Sequence, residues 1–214
     1  MKKYAKILAL SAFAALALMA MGASTASANI CSKAASTHTP VTLCSVAHGN
    51  VYNGAIVATS TNAQLTSGFV NVKCTHSVLE GTVTGTTTTG QITKLSFTGC
   101  SNNLGQACTA STTASSGAPW HAISKTGAAP NGTMEVSTVT GQFTCGSTTC
   151  YYKSAKVGGA GELQVIGGAP AHVTIGTGNP VKLEREEGSG GLCSSSATWH
   201  GTYTVTTPSS LYLT

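Results

Sequence analysis

Apolar and polar residues alternate in the run Phe69-Val70-Asn71-Val72-Lys73-Cys74. A period of two residues places Val70, Val72 and Cys74 on one face of a β-strand and the polar residues between them on the other. A helix would repeat its apolar residues at about every third or fourth position, which this run does not do. The alternation therefore predicts a half-buried strand that ends at a cysteine.

The same alternation recurs along the chain. After a predicted turn at Thr75–Ser77, apolar or small residues alternate again over 79–83, and a threonine-rich tip at 84–90 leads into Ile92–Phe97, so that three consecutive strands form a meander. An early strand is predicted at Gly54–Thr59. Later strands are predicted where apolar residues share parity, at Met134 with Val136, Leu163 with Val165, Val173 with Ile175, Val181 with Leu183, and Trp199 with Tyr203 and Val205.

The composition agrees with an all-β fold. Charged residues make up 8% of the chain and Asp is absent, so long exposed helices supported by ion pairs cannot be built. Threonine suits the exposed face of a sheet, and the 25 glycines and 6 prolines supply turns. A hydrophobic content of 41% argues against disorder. We predict an all-β, single-domain antiparallel β-sandwich, or a small barrel, stapled by disulfides.

The N-terminus has the pattern of a secretory signal peptide. Lysines at positions 2, 3 and 6 precede an apolar stretch at 7–21 and the small-residue triplet Ala26-Ser27-Ala28. The predicted segments are a signal peptide at 1–28, an N-terminal extension at 29–65 and a β-domain at 66–214. Processing would leave 8 − 6 = +2 formal charges. The expected product is secreted, has no transmembrane segment and lacks the basic cluster that nucleic acid requires.

All eight cysteines follow the predicted cleavage site, which indicates disulfide bonds in an exported chain. Sequence cannot select among their pairings. Short-range candidates are Cys31 with Cys44, Cys100 with Cys108 and Cys145 with Cys150, which would leave Cys74 to join Cys193. The six histidines are scattered rather than paired with cysteines at zinc-site spacing, so no metal or other cofactor is expected.

Residues for catalysis are scarce, and we expect no enzyme. The chain has six glutamates, no Gly-x-Ser-x-Gly elbow, and no Asp for a Ser-His-Asp triad. Three of the glutamates lie in the run Glu184-Arg185-Glu186-Glu187, which is interpreted as a charged surface patch, with a partner or cation site as the alternative.

Two aromatic groups are treated differently. Trp199 and Tyr203 share parity with Val205 and are predicted to be core residues. Trp120 follows Pro119 in a polar segment predicted to be a loop, and with His121 it forms the candidate ligand surface, because aromatic faces stack on sugars and apolar molecules. Core burial is nevertheless favoured over a binding role for Trp120, and packing beside Trp120 is favoured over catalysis for His121.

Several motifs recur as landmarks along residues 65–214. They are Cys74 with Gly81-Thr82-Val83, Phe97-Thr98-Gly99-Cys100, Pro119-Trp120, Phe143-Thr144-Cys145, Leu192-Cys193 and Gly201-Thr202-Tyr203-Thr204. Together they resemble a group of exported, largely uncharacterised bacterial proteins common in actinobacteria, and they are faintly similar to secreted proteins named as activators of alkane oxidation. The resemblance implies hydrocarbon use or cell-surface attachment, with no catalytic residues.

The sequence thus predicts a secreted non-enzymatic protein with a surface, matrix or binding role and an extracellular or cell-surface partner. A secreted inhibitor or small hydrophobic-ligand carrier is the alternative, presenting the loop around Trp120 or the Cys145–Cys150 loop, and a secreted hydrolase ranks third. Self-association through exposed sheet edges stays open, because few charges protect them.

Overall fold

A computed structural model describes residues 30–32, 51–68, 70–83, 89–114, 118–124, 132–136, 139–154, 162–176 and 181–213. The fifteen strands are β1 (Ile30–Cys31), β2 (Gly54–Ser60), β3 (Ala63–Ser67), β4 (Val70–Val83), β5 (Thr89–Asn102), β6 (Ala107–Ala114), β7 (Ala118–Ser124), β8 (Gly132–Val136), β9 (Val139–Cys145), β10 (Thr148–Ser154), β11 (Glu162–Ile166), β12 (His172–Ile175), β13 (Val181–Arg185), β14 (Ser196–Thr207) and β15 (Tyr212–Leu213). The predicted all-β, antiparallel, disulfide-bonded fold is confirmed. Within these residues no helix is long and apolar enough to cross a membrane.

Thirteen of the strands form one sheet whose pairings close into two rings of eight strands. The disulfide ring runs β3, β4, β5, β6, β9, β10, β13, β14 and back to β3. The terminal ring runs β2, β4, β5, β7, β8, β11, β12, β14 and back to β2. Strands β4, β5 and β14 belong to both rings.

The long strand β4 corrects one prediction. Residues 75–77 do not form a turn, and β4 continues through them as one strand of 14 residues. The alternation of buried and exposed residues instead shifts by one position within the strand. The buried residues are the even-numbered Val72 and Cys74 before the shift and the odd-numbered Ser77 and Leu79 after it. Opposite the shift, Gly99 has φ +60°, a left-handed conformation that residues with a side chain rarely adopt. The predicted three-strand meander over 70–97 is therefore the hairpin β4–β5.

The remaining predicted strands are confirmed as β2, β8, β11, β12, β13 and β14. The predicted extension at 29–65 contributes β1, β2 and the start of β3. Strand β1 pairs with β15, with Ile30 opposite Leu213, and both residues are buried with Leu211 against the interior of the terminal ring. The two ends of the described chain therefore close this ring together.

Tyr203 lies where the two rings meet. Its hydroxyl is 2.9 Å from the Ser77 hydroxyl, and both residues are fully buried. The Trp199 ring meets the Tyr203 ring edge-on, with centroids 6.0 Å apart. Because Trp199, Tyr203 and Val205 are all buried, their predicted core placement is confirmed.

The disulfide ring has an aromatic interior. Phe143 stacks on Tyr152 with ring centroids 5.7 Å apart. The Tyr152 hydroxyl lies 2.7 Å from the buried Ser67 hydroxyl and donates to the Ser194 carbonyl at 3.0 Å. These bonds satisfy a polar group that would otherwise be costly inside an apolar core.

Each strand from β2 to β14 has a paired neighbour on both sides. The exposed edge that self-association by strand addition requires is therefore missing from the described sheet. A sheet that closes into a ring has no free edge strand.

Candidate binding surface at the disulfide-bonded end

Four cysteines form one row across four neighbouring strands of the disulfide ring. Passing from β4 through β5 and β6 to β9, the residues opposite one another are Cys74, Cys100, Cys108 and Cys145. Disulfide bonds join Cys74 to Cys100 and Cys108 to Cys145. The predicted bond between Cys100 and Cys108 is therefore wrong, although these two residues are opposite each other.

The two bonded pairs and the unbonded pair between them differ in strand geometry. Opposite residues on antiparallel strands alternate between narrow pairs, with Cα atoms about 4.5 Å apart, and wide, hydrogen-bonded pairs about 5.5 Å apart. The Cα separations are 3.9 Å for Cys74–Cys100 and 4.3 Å for Cys108–Cys145, so both bonds join narrow pairs. Since a strand residue directs its N–H and C=O to the same side, Cys100 and Cys108 form the wide pair between them.

The third bridge joins a strand to a loop. Cys150 on β10 is bonded to Cys193 in the loop between β13 and β14, with Cα atoms 5.6 Å apart. The predicted bonds of Cys145 with Cys150 and of Cys74 with Cys193 are therefore wrong. Cys31 is disulfide-bonded, and Cys44, its predicted partner, lies outside the described residues.

These bridges lie near one end of the ring, where four connections meet. We call this end the turn surface and define it as Gly68, 102–106, 146–147 and 186–195. A Cβ atom added to Gly68 would lie 3.0 Å from the Ser194 hydroxyl, so two of the connections touch. The Asn103 N–H donates to the Asn71 carbonyl at 3.0 Å, and the Gly190 N–H donates to the Thr149 carbonyl at 2.8 Å. The connections 102–106 and 186–195 are therefore bonded to the strands beside them.

Side chains fix the backbone of two of these connections, 102–106 and 186–195. The Asn102 side-chain carbonyl accepts the N–H groups of Leu104 and Gln106 at 3.0 and 2.9 Å. The Tyr151 N–H donates to the Ser189 hydroxyl at 2.9 Å, and Arg185 donates to the Cys193 carbonyl at 2.8 Å. Loops held in this way bind with a smaller loss of conformational entropy than free loops do.

The turn surface carries two of the three exposed large hydrophobic residues of the described chain. The exposed fraction is 78% for Leu104 and 67% for Leu192, whereas Ile166 in the terminal ring is 46% exposed. A partner that covers an apolar group on a rigid frame gains apolar burial without having to order the loop.

The charged run 184–187 borders this surface. Lys153 lies opposite Glu184 on the neighbouring strand, and its ammonium group is 3.9 Å from the Glu186 carboxylate. Exposed pairs of this kind contribute little to stability. No group of three metal-ligating side chains lies together in the part of the chain that the structure describes.

The candidate ligand surface proposed from sequence lies elsewhere. Trp120 and His121 belong to strand β7 of the terminal ring, opposite Gly90 and Thr89, so the prediction of a loop at this position is wrong. Their side chains are outside the described part of the structure, and their predicted role stays a prediction.

Each ring encloses a small cavity. One of about 60 Å³ in the disulfide ring is lined by Phe143, Tyr152 and Trp199 among others, and one of about 30 Å³ lies in the terminal ring. Pockets for drug-sized ligands measure about 300–1,000 Å³. Neither of these two cavities therefore holds such a ligand without opening.

Sequence reasoning did not select Leu104 or Leu192 as site residues. Each is an isolated leucine among Gly, Asn, Gln or Cys, without the alternation that marks a strand. A signal was available, since a large apolar residue inside a turn sequence has no neighbour with which to form a core.

Comparisons of this chain with family models, curated proteins and solved structures give no match.

Proposed function

We propose that this chain is an exported, non-enzymatic binding protein and that the turn surface is its contact site. The observation that carries the proposal is the pair of exposed leucines, Leu104 and Leu192, on connections held by disulfides and side-chain hydrogen bonds. A partner with an apolar patch at the cell surface or in the matrix fits this arrangement. The resemblance to exported proteins associated with surface attachment points the same way.

Export is part of the proposal. The signal-peptide pattern supports it, and three disulfide bonds among the described residues are consistent with an extracellular location. Disulfide bonds of this number are rare in the reducing cytosol.

The test measures binding of the purified mature protein to intact cells and cell-wall fragments of the producing organism. A Leu104→Asn, Leu192→Asn double variant is expected to bind at least about 30-fold more weakly, as for loss of an interface hot spot. Ile166→Asn, which changes the exposed hydrophobic residue outside the turn surface, serves as the matched control and is expected to bind like the unchanged protein. Equal binding by all three proteins would place the contact site elsewhere.

A secreted inhibitor is the second candidate, and one connection favours it. The β9–β10 turn at Gly146 and Ser147 lies between Cys145 and Cys150, which are bonded to two other parts of the ring. A short turn fixed on both sides resembles the rigid loops by which inhibitors bind with little change of shape. If this function holds, the protein inhibits a secreted hydrolase at a one-to-one ratio, and Ser147→Arg abolishes the inhibition while the leucine double variant retains it.

The carrier and hydrolase alternatives are separated by two further assays. A carrier that is incubated with mixed lipids or hydrocarbons retains a bound molecule, which mass spectrometry detects. A hydrolase turns over ester, peptide or glycoside substrates and loses this activity when a single Glu or His is replaced.

A further inference from the structure

We propose that the row of Cys74, Cys100, Cys108 and Cys145 is a thiol–disulfide exchange site whose co-reactant is an exported dithiol. Two disulfides in neighbouring strand pairs place four sulfur-bearing residues side by side on the inner face of one ring. A reduction at one bridge can therefore pass to the other. This role goes beyond binding at the turn surface.

The contact between the two bridges is the wide pair of Cys100 and Cys108. Their strand register places them opposite each other, and wide pairs have Cα atoms about 5.5 Å apart. Disulfide bonds most often span Cα separations of about 5.5–6 Å. A bond between Cys100 and Cys108 is therefore within reach without separating β5 from β6.

Cys108 is the point where the dithiol reacts first. Among the four cysteines it alone is only partly buried, whereas Cys74, Cys100 and Cys145 are buried. It is the second residue of β6, next to the end of the connection 102–106 at the rim of the ring. Exchange requires an attacking thiolate to reach a sulfur atom, so exposure selects this cysteine.

The exchange balances in three steps. A thiolate of the dithiol attacks the Cys108 sulfur, which breaks the Cys108–Cys145 bond and leaves a thiol at Cys145. The second thiol of the dithiol then displaces Cys108, so that the dithiol leaves oxidised and two electrons have entered the protein. The Cys108 thiolate finally attacks Cys100, which breaks the Cys74–Cys100 bond and forms Cys100–Cys108 with a thiol at Cys74.

The product is a distinct state of the chain. Its thiols at Cys74 and Cys145 are separated by β5 and β6, which at about 4.8 Å per strand spacing is about 14 Å along the sheet. This is beyond the longest Cα separation of about 6.8 Å that a disulfide spans. The two thiols therefore cannot bond to each other, and the reduced state keeps both of them as separate thiols.

The test uses the mature protein with substoichiometric dithiothreitol, followed by alkylation in acid and peptic digestion at low pH, which stops further exchange. The expected two-electron-reduced species has a Cys100–Cys108 bond and alkylated Cys74 and Cys145. The proposal is overturned if every reduced molecule carries both labels within one native pair, on Cys74 and Cys100, on Cys108 and Cys145, or on another bridge.

A variant pair tests the same step without reductant. In Cys145→Ser, the unpaired Cys108 is expected to exchange onto Cys100, so that most of the alkylation is found at Cys74. The matched control is Cys150→Ser, in which the unpaired Cys193 has no cysteine row beside it and is expected to take the label itself. Alkylation of Cys145→Ser at Cys108 alone would overturn the proposal, and the reduction experiment stands independently if this variant fails to fold.

Discussion

Gly81 lies at a close approach between two strands inside the terminal ring. A Cβ atom at this position would lie 2.8 Å from the Gln91 carbonyl oxygen, which belongs to the backbone and cannot move aside cheaply. Gly81→Ala is therefore expected to lower the free energy of unfolding by about 1–3 kcal/mol. Gly191→Ala is the matched control, because nothing lies within 4 Å of its added Cβ. Urea unfolding of the two variants checks this, and equal midpoints would contradict it.

Tyr203 makes stability depend on alkaline pH. Burial raises the pKa of its hydroxyl above the ordinary value of 10.0, and the hydrogen bond with Ser77 opposes this shift only in part. The indole N–H of Trp199 acts in the same direction as Ser77, although it does not meet hydrogen-bond geometry with any described partner. Below pH 10 the Tyr203 hydroxyl is neutral in both the folded and the unfolded chain. Above pH 10 it ionises only in the unfolded chain.

The free energy of unfolding is therefore expected to fall above pH 10 by about 1.4 kcal/mol per pH unit for this group. Tyr203→Phe loses the bond to Ser77, at a cost of about 1 kcal/mol at neutral pH, and also loses this part of the pH dependence. The advantage of the unchanged protein should therefore shrink as pH rises above 10 and reverse by about pH 11. Urea titrations at fixed pH values measure it, and a constant difference would show that Tyr203 ionises equally in both states.

At the residue scale, the sequence predicted which side chains are buried better than it predicted which cysteines are bonded to each other. The parity of Trp199, Tyr203 and Val205 identified them as core residues because alternation is a local property. The cysteine partners depend on which strands are neighbours and on their register, and the bonded cysteines of these neighbouring strands are 26 and 37 residues apart in sequence. The residue pattern within one strand does not indicate how that strand is aligned with a distant one.

At the element scale, strands β1 and β15 act as a plug for the terminal ring. Leu213 on β15 is almost fully buried and lines the ring interior with Ile30 and Leu211. Leu213→Ala is expected to lower the free energy of unfolding by about 2–5 kcal/mol, because it opens a cavity in this core. The control Leu104→Ala should change it by less than about 0.5 kcal/mol, since Leu104 is 78% exposed. Similar losses from the two substitutions would mean that the plug does not contribute to the core.

Strand β6 shows why some elements escaped sequence analysis. Its residues, ACTASTTA, include no large apolar side chain, so the alternation that reveals β4 is missing. The strand forms because β5 and β9 pair with it on both sides and the Cys108 bridge fixes its start. The candidate site has the same origin, since the turn surface exists only after four distant connections are brought together.

At the scale of the whole molecule, the chain passes repeatedly from one ring to the other. It passes from β6 in the disulfide ring to β7 in the terminal ring, returns from β8 to β9, and crosses again between β10 and β11 and between β12 and β13. Neither ring is a continuous segment of sequence. The sheet therefore joins residues that are far apart along the chain, which slows folding by raising contact order.

The shared strands predict that both rings unfold together. If either ring opened by itself, it would release β4, β5 or β14 and remove up to three of the eight strands of the other ring. Native-state hydrogen exchange in increasing urea, with disulfides intact, should therefore give the same unfolding free energy for β10 of the disulfide ring and β12 of the terminal ring. A lower value for β12 would show that the terminal ring opens as a separate unit, and that the shared strands keep their pairing in the disulfide ring without it.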